Sequence, residues 1–81
     1  MRANRAYHLI ASREGGALLA ADSRLDRVEV VSVDDGEVVF FWELPHRSAR
    51  RLLRELRSDL VDLEAAEFFD KWAGADVALE D

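Results

Sequence analysis

Cysteine is missing from all 81 residues, which excludes disulfides, thiol nucleophiles and thiolate metal sites, and leaves redox compartment unread. Histidine is scarce. His8 and His46 are the whole supply, no His-x-x-x-His spacing occurs, and the Glu-x-x-His spacing of Glu43 and His46 spans Pro45 rather than one helix face, so no metal site is expected. No serine stands in a Gly-x-Ser-x-Gly elbow, and neither histidine has a sequence-local claim as a general base. Gly15-Gly16 is not followed by the Gly-Lys-Ser/Thr that cradles phosphate, and Asp34-Asp35-Gly36 lacks the ligand pattern of a calcium loop. The expectation is a chain that is not an enzyme and carries no cofactor. Long apolar runs are absent as well, so no membrane partner is expected. The short run after Arg2 and Arg5 is interrupted by His8 and Arg13-Glu14 before a signal core could form, and the chain reads as cytoplasmic.

Lysine is reduced to Lys71, so arginine supplies nearly all of the 11 basic residues, against 17 acids and a net charge of −6. The charge is unevenly spread: +2 over residues 1–27, −5 over 28–45, +4 over 46–57 and −7 over 58–81. An acidic chain repels nucleic acid at long range, although a local basic face can still dock on it. At this length one core is affordable and two are not, so residues 1–81 read as a single domain with 75–81 as a frayed tail.

The fold signal is clearest in the middle. VEVVSV and EVVFFWEL are β-branched and aromatic runs separated by Asp34-Asp35-Gly36, the signature of a β-hairpin. A two-residue turn at Asp35-Gly36 sets Val33 against Val38 and Val31 against Phe40, but it also sets Asp34 against Glu37, an unfavourable pair. A longer loop with Gly36 as a bulge relieves that. Upstream, RAYHLIAS and ALLAAD flank Arg13-Glu14-Gly15-Gly16 and predict a second hairpin, although alanine-rich ALLAADSRL also suits two helical turns. Downstream, Pro45 stands where a helix's first turn tolerates it, and a leucine stripe follows. The expectation is an α+β fold: an antiparallel sheet of three to four strands (about 6–12, 16–21, 27–33, 38–44), packed by an amphipathic helix (about 46–60) and a shorter helix (about 63–73).

Two helices are expected because the apolar phase changes. One straight helix would carry Phe68, Phe69 and Trp72 onto the polar side of the leucines, so a break is predicted between Asp59 and Leu63. Asp62 is then the expected cap of the second helix, with Glu64 in its first turn and Gly74 at its end. In the central hairpin, alternation puts Val31, Val33, Val38, Phe40 and Trp42 on one face and Val28, Val30, Val39 and Phe41 on the other. Both faces need cover. Either the first helix takes one and the second folds round to the other, or part of one face is buried by a second copy or another protein.

At 100° per residue, Arg47, Arg50, Arg51, Arg54 and Arg57 fall within about 120° of one another, opposite Leu52, Leu53, Leu56, Leu60 and Leu63. These five arginines are the candidate partner-binding residues. Three of them crowd the positive end of the helix dipole while Asp59 and Asp62 approach the negative end, the reverse of the favoured arrangement. The bland alternative is a solvated face whose arginines pair with acids of the C-terminal segment or with Glu37 and Glu43. Ser48 reads as a helix-start residue, His46 as an exposed neighbour of Pro45, and Trp42 and Trp72 as core.

The functional expectation is a small non-enzymatic protein-binding module, homodimeric or with a separate partner, using the arginine face or the apolar sheet face. The first alternative is a nucleic-acid-binding protein that contacts phosphates through the arginine helix. The second is a ligand-binding domain or enzyme with a pocket near Trp42, Glu43 and His46.

Overall fold

The computed structural model describes residues 1–13 and 25–74. Along the chain come α1 (Ala3–Ala6), β1 (Tyr7–Arg13), β2 (Leu25–Ser32), β3 (Val38–Pro45), α2 (His46–Asp62) and α3 (Ala65–Ala73). The strands form an antiparallel sheet in the order β1-β2-β3, so the fold is α+β as expected. The expected strand at 16–21 and the tail at 75–81 lie outside the described residues. The short α1 is not among the expected elements. No helix among the described residues is long and apolar enough to cross a membrane.

The β2–β3 loop takes the longer form. Ser32 N–H donates to Glu37 O at 2.8 Å and Gly36 N–H to Ser32 O at 2.9 Å. Glu37 N–H donates to Asp35 Oδ1 at 3.1 Å. Gly36 has φ 72°, a value open to glycine at little cost. The register then slips: Val31 pairs with Val38 but Val30 with Phe40, leaving Val39 as an extra residue on β3. That bulge corrects the expected partition of faces. Val28 lies opposite Trp42 and Val30 opposite Phe40, so these four side chains share the inner face. A period-2 reading carried through the bulge assigns them to opposite faces, because one inserted residue flips everything beyond it.

The inner face is covered from one side only. Ala49, Leu52, Leu56 and Leu60 of α2, Phe68 and Trp72 of α3 and Ala3 of α1 form a single buried cluster with Val28, Val30 and Trp42. Aromatic contacts bind the layers: Tyr7 to Phe68 at 5.4 Å, Phe40 to Phe69 at 5.2 Å and Trp42 edge-on to Trp72 at 5.9 Å between centroids. Each large side chain buried here contributes roughly 1.5–3 kcal/mol. The second helix therefore does not fold round to the other face, as the sequence suggested. After the break at Leu63 (φ −105°, ψ 156°), Phe68 and Trp72 join the same core as the α2 leucines.

At that break the cap is Glu64, a correction to the expected Asp62, which remains the last residue of α2. Glu64 and Glu67 form a reciprocal capping box, with Glu64 N–H donating to Glu67 Oε1 at 3.0 Å. The N-terminal segment stitches the corner: Ala3 N–H donates to Leu63 O at 3.0 Å and Ala65 N–H to Met1 O at 2.9 Å. Arg2 Nη1 donates to the Asp62 carbonyl at 3.0 Å, satisfying one of the carbonyls orphaned at the end of α2. Gly74 closes α3 as expected.

The arginine face of α2 as candidate functional site

Leucine burial rotates α2 so that its opposite side meets solvent. Ala49, Leu52, Leu56 and Leu60 are buried, Leu53 is half-buried, and Arg47, Arg50, Arg51, Arg54 and Arg57 are all exposed. At 1.5 Å per residue these five span about 15 Å of one helix face. The candidate residues are thus assembled as the periodicity predicted.

The two ends of α2 are treated differently by the rest of the fold. At the C-terminal end, Asp59 Oδ2 accepts from Trp72 Nε1 at 3.0 Å and pairs with Lys71 Nζ at 2.6 Å. With Arg2 on the Asp62 carbonyl, two cations from elsewhere in the chain answer Asp59 and one orphan carbonyl there. At the N-terminal end the described residues answer with a single acid, Asp26, hydrogen-bonded to His46. The first turn holds no acid, Pro45 at the cap has no side-chain hydrogen bond to offer, and none of the five arginines forms an ion pair. Among the described residues, the pairing with Glu37, Glu43 or C-terminal acids that would have made the stripe a solvated structural face is not formed. Glu43 lies on the far side of the sheet, opposite Arg27, while Glu64 is engaged by the Met1 ammonium at 3.0 Å and by Arg2 at 3.6 Å.

One acid does reach this end of the helix. Asp26 Oδ2 accepts a hydrogen bond from His46 Nδ1 at 2.7 Å, although the two residues are 20 apart in sequence. The strand register causes it: Leu25 pairs with Pro45 and Asp26 with Leu44, and α2 starts at the next residue. A carboxylate only accepts, so the imidazole donates through Nδ1. His46 is about half exposed and Asp26 largely covered, with side-chain accessibilities of 48% and 15%. Sequence reading missed Asp26 entirely; the only signal would have been the hairpin register carried outward with the bulge counted.

Three shallow depressions flank this point and all include His46 and Arg50. The first, about 420 Å³, is lined by His46, Arg50, Leu53, Arg54 and Arg57. The second, about 530 Å³, adds Arg47 and Arg51 in place of Leu53 and Arg57. The third, about 480 Å³, runs from Arg50 and Leu53 across to Ala11, Ser12 and Asp26. Guanidinium groups in such a row can grip carboxylates or phosphates through paired N–H donors. Ser12 lines the third depression beside the His46–Asp26 pair.

Among the described residues, Trp42, Glu43 and His46 do not converge. Trp42 is buried in the core at 7% exposure, Glu43 faces away from it on the same strand, and His46 turns to Asp26. His8 is exposed on β1, opposite Val31. Among the described residues no group of three or more metal-binding side chains comes together. The outer sheet face is mixed: Ile10, Leu25 and Phe41 are 40–53% exposed, with the Arg27 guanidinium 4.8 Å over the Phe41 ring and paired to Glu29 at 3.8 Å. Compared with known protein families, with curated proteins and with solved structures, the chain gives no match.

Proposed function

We propose that this protein is a small non-enzymatic binding module that docks an acidic segment of a partner protein on the arginine face of α2. The observation that carries the reading is the asymmetry of that helix. Its C-terminal Asp59 is engaged by Trp72 and Lys71, while its N-terminal arginines, placed against the helix dipole, have no ion pair among the described residues. Misplaced exposed charges cost roughly 0.3–1 kcal/mol each at low salt, and the one acid described at that end, Asp26, is hydrogen-bonded to His46. A partner's carboxylates would offset that cost.

A nucleic acid could use the same guanidinium chemistry, but a net charge of −6 opposes the approach of a long polyanion more than that of a short acidic segment. Self-association through the outer sheet face draws support from half-exposed Ile10, Leu25 and Phe41. Arg27 and Glu29 interrupt that patch, which weighs against it.

Fluorescence anisotropy with a labelled oligo-aspartate peptide and a labelled DNA duplex of matched charge tests the reading. The wild-type chain is expected to bind the peptide with an affinity that falls steeply with salt, and Arg50→Glu with Arg54→Glu to abolish it. Tighter binding to the duplex would replace the protein partner by a nucleic acid. Binding to neither would refute the docking face, and a dimer in light scattering would redirect attention to the sheet.

A further inference from the structure

The spacing along the docking face defines the form of its occupant. His46, Arg50, Leu53 and Arg57 are separated by four, three and four residues, the seam spacing by which one helix meets another. Arg54 flanks that seam, and Leu53 is its only apolar member. Leu53 is half-buried against the core and lines two of the three depressions, one shared with Arg54 and Arg57 and one shared with Ala11 and Asp26. The face is therefore a row of cations with one apolar notch.

We infer that the partner segment is an acidic amphipathic helix whose one apolar side chain seats on Leu53 between acids that meet Arg50 and Arg57; this rests on the docking function proposed above. A second helix has the same repeat as α2, so acids at i and i+7 with an apolar residue at i+3 or i+4 match Arg50, Leu53 and Arg57 in one pass. An extended acidic strand presents same-face side chains every second residue, about 6.6–6.8 Å apart, and drifts out of step with arginines placed about 4.5–6 Å apart along the axis. A phosphate backbone offers nothing to Leu53. Charge complementarity gives the partner its sign, and the notch gives it a register.

Three synthetic peptides separate these statements. The first is an alanine-based helix of about four turns carrying glutamate, leucine and glutamate at the matching spacing. The second has the same composition with those residues distributed round the helix, and the third is oligo-aspartate. Titration calorimetry at low salt is expected to show the first binding at least tenfold more tightly than the second. Leu53→Ser, checked for folding by circular dichroism, is expected to erase that preference. Equal affinity for the first two peptides would overturn the helix inference and leave acidic docking intact. So would an unchanged preference in folded Leu53→Ser. If none of the three binds, both the inference and the function it rests on are refuted.

Discussion

Replacing Arg47 by glutamate should make the protein more stable and less able to bind. Arg47 is the second residue of α2, in a first turn that contains no acid and no side-chain cap. Exchanging a cation for an anion at this position changes the dipole interaction by roughly twice 0.3–1 kcal/mol at low ionic strength. The same exchange converts the like-charge neighbours Arg50 and Arg51, at i+3 and i+4, into attractive pairs, each worth about 0.2–0.5 kcal/mol. Exposure and salt trim the total, so a gain of about 1 kcal/mol is expected, which for a domain of this size raises Tm by about 4–8 °C. The assay is thermal unfolding by circular dichroism at low and high salt, paired with oligo-aspartate anisotropy on the same samples. Tm should rise, the rise should shrink in salt, and affinity should fall. An unchanged or lower Tm would refute the reasoning, because it would mean that Arg47 has a stabilising partner of its own.

Leu56 is fully buried at the centre of the core, and Leu56→Ala should cost about 2–5 kcal/mol in chemical denaturation, a large share of a total near 4–12 kcal/mol. A Cβ added at Gly36 would have no atom within 4 Å, so Gly36→Ala meets no clash and should lose only the left-handed backbone penalty of about 1–2 kcal/mol, with Gly36→Asn losing less. The Met1 ammonium, by hydrogen bond and charge, and then Arg2 hold the Glu64 carboxyl below its ordinary value of 4.5. A depressed carboxyl contributes stability above its unfolded pKa and loses it as pH falls through the folded one, so carbon NMR should place the Glu64 midpoint below 4.5, and Glu64→Gln should flatten the acid limb of the stability curve.

Much of this fold was readable where one physical rule acted alone. The β-branched runs around Asp34-Asp35-Gly36 became β2 and β3, and the phase conflict between the leucines and Phe68, Phe69 and Trp72 became the break at Leu63. The arginine face was legible for the same reason, since helical periodicity and leucine burial agree about which side of α2 is wet. The faces of the hairpin were misread because a bulge at Val39 inverts alternation, and a bulge leaves no mark in a period-2 pattern. Glu64 was passed over as a cap because Asp62 is the better capping residue in isolation; the reciprocal bond with Glu67 decides it. The Asp26–His46 contact depends on where two strands end relative to each other, which no local pattern encodes.

The most direct test of the central claim is an amide chemical-shift titration of the labelled protein with oligo-aspartate. The account predicts that the perturbed amides cluster between His46 and Arg57, with Ile10, Arg27 and Phe41 on the outer sheet face unmoved. Shifts centred on that sheet face, with α2 silent, would contradict it.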